Sequence, residues 1–127
     1  MSNYKNSSLE IYFIEKNRFS CVSTINKDEI SYLSFKLMRF IDNCIKINFK
    51  TFENGYIKIQ LKNKNDFVID GYSFNDFNLI CENMNEFEYE VSWKDKSDIP
   101  KEDLHVEIEG MNFNIYSINC VKVLKNL

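Results

Sequence analysis

The two-residue alternation of apolar and polar residues along much of this chain constrains its fold more than any other feature, because that period belongs to strands buried on one face. Ile45, Ile47 and Phe49 alternate with Lys46, Asn48 and Lys50, and Ile57, Ile59 and Leu61 alternate with Lys58, Gln60 and Lys62. Further on, Phe87, Tyr89, Val91 and Trp93 alternate with Glu86, Glu88 and Glu90. Register follows from matching faces. A two-residue Asn54-Gly55 turn would set Phe49 against Gln60, whereas a three-residue Glu53-Asn54-Gly55 loop pairs Phe49 with Ile59 and Ile47 with Leu61. The second is preferred, because a one-residue slip turns every side chain over; Gly55 then takes the left-handed position of a bulged hairpin. A loop over Lys62 to Asp66 adds a third strand, with Leu61 opposite Phe67 and Ile59 opposite Ile69. A Gly110-Met111 turn likewise pairs Ile108 with Phe113 and Val106 with Ile115. Beyond Ser117 the alternation slips, which leaves open whether Cys120 to Leu124 continues the strand.

Upstream, Leu9 to Ile14 and Phe19 to Ile25 read as two strands around Glu15 to Arg18. The segment about 27–43 reads as the main helix. Asn26 can cap it, Glu29 sits at capping-box distance, and Ile30, Leu33, Leu37, Phe40, Ile41 and Cys44 recur at helical spacing, with Phe35 and Met38 widening the stripe. Phe74, Phe77, Ile80, Cys81 and Met84 suit a second short helix over about 74–84, although Phe77, Leu79 and Cys81 also alternate as a strand would. Lys94 to Asp103 is a polar loop holding the sole proline, Pro100. The expectation is an α+β domain: a mostly antiparallel meander with one amphipathic helix packed on it, and residues 1–127 as a single domain.

Composition says little about chemistry. The chain has no alanine, one proline and three glycines, with abundant Asn, Lys, Ile and Phe, which points to an AT-rich gene. Met1 to Ser8 lacks the charged and apolar parts of an export signal, and no apolar run reaches the ~18 residues of a membrane span. A cytoplasmic protein is expected. Cys21, Cys44, Cys81 and Cys120 stand far apart, without a C-x-x-C pair or an adjacent histidine, so they read as reduced core residues rather than metal ligands. No cofactor and no metal are expected. Charge is uneven: residues 1–63 carry ten Lys/Arg against six Asp/Glu (+4), and residues 64–127 carry six against thirteen (−7).

Catalytic candidates are few. His105 is the only histidine; Glu107 and Glu109 share its strand face, yet no glycine-flanked nucleophile accompanies it, and it reads as a surface or edge residue. No phosphate loop, H-E-x-x-H or G-x-S-x-G motif is present. Lys46, Lys50, Lys58 and Lys62 share the outer face of the central hairpin and invite an anion. That face lacks the stacking aromatics of a single-strand platform, and Asp70 falls opposite Lys58, so nucleic-acid binding is not expected.

There remains an acidic surface: Glu86, Glu88, Glu90, Glu107 and Glu109 on strand faces, bordered by Trp93 and Tyr116 and by a loop with Asp95, Asp98, Glu102 and Asp103. Aromatic anchors in a charged surround suit a protein interface, and carboxylates speed association with a basic partner. In these features, and in its AT-rich composition and small strand-rich domain, the chain resembles the immunity proteins that neutralise toxins of bacterial contact-dependent inhibition and other polymorphic toxin systems. The resemblance is one of type, spread over the whole chain. It implies a non-enzymatic protein that binds a cognate toxin domain, often a nuclease, with Glu86, Glu88, Glu90, Trp93, Asp98, Glu102, Asp103, Glu107, Glu109 and Tyr116 as candidate contacts. Two other readings are an enzyme with a site around His105, Tyr116 and Glu107, and an interaction protein of a phage or mobile element.

Overall fold

A computed structural model describes residues 9–12, 21–24, 28–40 and 42–126. They form seven strands and, among the described residues, no helix: β1 Leu9–Tyr12, β2 Cys21–Thr24, β3 Ser31–Phe40, β4 Lys46–Lys62, β5 Asn85–Glu90, β6 Leu104–Ile118 and β7 Cys120–Asn126. All pairings between them are antiparallel. The described residues are therefore all-β where α+β was expected.

β6 organises the sheet. β4 runs along one of its edges from Lys62↔His105 to Ile47↔Ile118, while β3 and then β2 share the other edge. β1 pairs with β2, as the sequence led us to expect, in the register Leu9↔Thr24 to Tyr12↔Cys21; the turn joining them lies outside the described residues. β7 follows β6 after Asn119 alone and pairs with β3, so Phe35 has Val106 on one side and Asn126 on the other. One nearly continuous run of chain thus reaches both edges of β3, which obliges the sheet to coil back on itself. A bulge in β3 between Phe35 and Met38, with Leu37 at φ 55°, supplies part of that bend.

β3 occupies the segment expected to be the main helix. Its buried residues Leu33, Phe35 and Met38, with half-buried Phe40, are spaced two, three and two apart. A strand alternation interrupted by one bulge therefore imitates the three-and-four spacing of a helix. Ile30, on the supposed apolar stripe, is exposed, while Ser31 is buried. Tyr32, Phe35 and Phe40 favour a strand, where aromatic side chains fit the pleated surface. The proposed cap, Asn26, lies outside the described residues.

Neither expected hairpin turn is a turn. β4 passes straight through Glu53-Asn54-Gly55, and β6 straight through Gly110-Met111; the two long strands pair with each other instead. Near the middle, the five steps from Thr51 to Tyr56 run beside the two from Phe113 to Met111, so β4 bulges outward there. Gly55 and Gly110 mark where the backbones crowd. A Cβ on Gly55 would come within 2.5 Å of the Asn112 carbonyl oxygen, and one on Gly110 within 2.5 Å of that of Tyr56. Asn54 and Asn112 take left-handed conformations, φ 63° and 46°, which asparagine tolerates. The turn-like composition thus serves a bend. Faces survive the change of pairing: Ile47, Phe49, Ile57, Ile59, Leu61, Val106, Ile108, Phe113 and Ile115 are all buried.

The second edge of β4 is covered in pieces, as buried backbone groups require. β5 pairs there with Lys46 to Lys50, Ile80 exchanges two backbone hydrogen bonds with Ile57, and Leu61 bonds Ile69 and Tyr72. The expected third strand shrinks to a bridge, Lys62↔Val68, and Phe67 is exposed rather than facing Leu61. The expected helix over 74–84 is a run of turns in which Phe77 and Ile80 are buried and Leu79 and Cys81 exposed. The thiols of Cys44, half-buried, and of Cys81, exposed, are free; neither is the core cysteine expected.

Candidate functional site

The carboxylates expected to form one acidic surface fall into separate environments. Those of β6 are already engaged. Glu107 accepts hydrogen bonds from Gln60 Nε2 at 2.6 Å and sits 3.0 Å from Lys62 Nζ, an attachment that raises the Lys62 pKa. Glu109 accepts the Tyr56 hydroxyl at 2.7 Å, faces Lys58 across the ladder, and together with burial, the larger effect, pushes the Tyr56 pKa up. Lys62 and Glu107 thus neutralise each other across adjacent strands, while Lys58 stands opposite Glu109 in register with its ammonium over the Tyr56 ring. Lys46 faces Glu90 and lies 3.8 Å from Asp42, while Lys50 lies over the Phe52 ring.

The loop carboxylates are mixed with cations. Asp103 holds Arg39 Nε at 2.7 Å. Glu102 shares a cavity of about 440 Å³ with Arg39, Asp42 and Lys101. Asp98 is exposed, and its backbone carbonyl accepts the Tyr72 hydroxyl.

Two expected aromatic contacts behave differently. Trp93 is fully buried: its indole N–H donates to the Ile59 carbonyl at 3.0 Å, and Tyr72 and Phe77 pack edge-on against its ring. It is a core residue, and no partner can reach it. Tyr116 is partly exposed, with its hydroxyl accepting from Asn114 Nδ2.

His105 is buried rather than at a surface or edge, being only 6% exposed. Its Nδ1 has no hydrogen-bond partner, and its Nε2 lies 3.4 Å from the Lys64 carbonyl oxygen. Tyr116 stands near the far end of β6, beside the Ile47↔Ile118 pair, whereas His105 pairs with Lys62 at the other end. The trio His105, Glu107 and Tyr116 is therefore not assembled into a site.

What remains open is β5. Between the pairs Ile47↔Tyr89 and Phe49↔Glu86, β4 advances two residues and β5 three. The extra residue is a β-bulge, and it changes which side chains face the core. Tyr89 stays on the inner side, edge-on to Phe49 with ring centroids 5.4 Å apart. Phe87, which strict alternation would turn inward, is instead 74% exposed, the largest exposure of any large hydrophobic residue among those described. Glu86 and Glu88 flank it, exposed and without an ion pair among the described residues. Glu90 differs from them: hydrogen bonds from Ser97 and then Cys44 hold its carboxyl below the usual glutamate range, and the Cys44 thiol is pushed up by burial and by Glu90. Among the described residues, β5 pairs with β4 alone.

Sequence reasoning found Glu86 and Glu88 but assigned Phe87 to the core. The only signal for its exposure is the bulge, which depends on the β4 partner and is silent in β5 itself. Among the described residues, no helix is long and apolar enough to cross a membrane, and no group of three or more His, Cys, Asp or Glu is placed to hold a metal. No protein-family model, curated protein or solved structure matches the chain.

Proposed function

We propose that this protein is a non-enzymatic binding protein that engages a basic protein partner through the β5 edge, and that the partner is a bacterial toxin domain, of nuclease type, which it neutralises as immunity proteins do. The observation that carries the reading is Phe87, 74% exposed between Glu86 and Glu88, carboxylates with no ion pair among the described residues. An aromatic ring standing in water and ringed by charge of one sign has the make-up of an interface anchor with a polar rim. Carboxylates at such a rim steer a cationic partner and speed its capture. The toxin assignment adds the resemblance of type described above, and a nuclease domain, basic because it binds nucleic acid, supplies the complementary charge.

The test is rescue of growth. The toxin domain encoded beside this gene should arrest growth when expressed alone, and co-expression of this protein should relieve the arrest. Substituting Glu86→Lys, Phe87→Ser and Glu88→Lys together should abolish relief while the protein remains folded. Failure of the unaltered protein to relieve the arrest would sink the reading. Full relief by the triple variant would show that β5 is not the surface.

A further inference from the structure

We propose that β5 binds its partner by strand addition, taking an extended basic segment along its open edge with Phe87 as the apolar anchor; this rests on the acidic-edge reading above and specifies the mode of recognition. Val91 N–H donates to the Ile45 carbonyl, so it points toward β4. By the two-residue period of a strand, the amide of Tyr89 also points toward β4 and that of Glu90 points away, both lying beyond the bulge between Glu86 and Tyr89. Among the described residues, no backbone hydrogen bond joins that outer edge to another segment. Such an edge is a template for one more strand.

Charge selects the occupant. A second copy of this chain pairing edge to edge would bring glutamates against glutamates, and like charges directly opposite each other destabilise a pair. A segment carrying Lys or Arg would give Glu86 and Glu88 the cross-strand cation that Lys62 already gives Glu107. Charged residues on an edge also discourage aggregation. That role alone leaves the outward turn of Phe87 unexplained.

The probe is a nine-residue peptide of alternating lysine and valine, compared with the same peptide N-methylated at every second amide, a change that removes strand hydrogen bonds and keeps the charge. Strand addition predicts micromolar binding of the first peptide, at least ten-fold weaker binding of the second, and slowed hydrogen exchange at the amide of Glu90. Glu90→Pro, which deletes that outward amide, should weaken binding of the first peptide to the level of the second. Equal binding of both peptides would overturn strand addition while leaving the acidic surface intact. No binding at millimolar peptide, or protection confined to β1 or β7, would also overturn it. A concentration-dependent dimer with Glu90 protected in the absence of peptide would make a second copy the occupant instead.

Discussion

β5 and the outer face of β6 carry the same sequence pattern, glutamate at every second position, with opposite outcomes. On β6 the neighbouring strand presents Tyr56, Gln60 and Lys62, and Glu107 and Glu109 are held by them. β5 lies one strand further out, paired among the described residues with β4 alone, and Glu86 and Glu88 keep their charge toward solvent. A repeated carboxylate therefore describes a face, and the strand beside it decides whether that face is available. Glu90 is the intermediate case, on the open strand but held by Ser97 and Cys44.

The contrast can be broken at several levels. Trp93→Ala should have the largest effect, about 3–5 kcal/mol of stability in a urea titration, as expected for a buried tryptophan. A loss below about 0.5 kcal/mol, the range of ordinary surface changes, would mean that Trp93 is a surface anchor after all. Next, Glu107→Ala strips Lys62 and Gln60 of their shared partner and should cost about 1–3 kcal/mol, against less than about 0.5 kcal/mol for Glu88→Ala. Equal costs would erase the distinction between the two faces.

Binding should show the reverse order. Glu86→Lys with Glu88→Lys should slow association with the partner about ten-fold at low salt, an effect that shrinks as salt is added. Glu109→Gln should leave that rate within about two-fold, since steering depends on exposed charge. Stopped-flow mixing over a salt series separates the two variants.

The smallest effects concern pH. The depressed Glu90 pKa means that its contribution to stability is present above the ordinary glutamate value, ~4.3, and fades as pH falls through the lower folded value. Ser97→Ala should move the Glu90 titration upward in a carboxyl-detected NMR experiment, and an unmoved titration would show that Ser97 does not hold it. Lys62 behaves oppositely. Its raised pKa contributes stability below the ordinary lysine value, a contribution lost as pH climbs through the raised one. Glu107→Gln should remove that alkaline loss.

Much of the core was legible in the sequence and little of the pairing was. Alternation placed Ile47, Phe49, Ile57, Ile59, Leu61, Val106, Ile108, Phe113 and Ile115 inside because side-chain direction along a strand is local. Partner choice is not local. Asn54-Gly55 and Gly110-Met111 carry the composition of turns, yet Gly55 and Gly110 are needed where β4 and β6 press together, a contact between residues far apart in sequence. The same holds at Leu37, where a bulge in β3 turned a strand into an apparent helix. At the candidate site, Glu86 and Glu88 were visible as an acidic repeat. Phe87 and Trp93 exchanged roles, because β5 bulges against β4 and the chain after Val91 folds over the core.

By itself, the sequence determined strand character over residues 45–50, 57–61, 105–109 and 112–116, the face each side chain takes there, and a second half rich in carboxylate. Only the tertiary structure decided that the long strands pair with each other rather than fold back as hairpins, which glutamates meet a lysine, and which aromatic ring is left in water. The physical reason is one of range: side-chain direction follows from the adjoining backbone, whereas neutralisation and exposure depend on whatever strand the rest of the chain brings alongside.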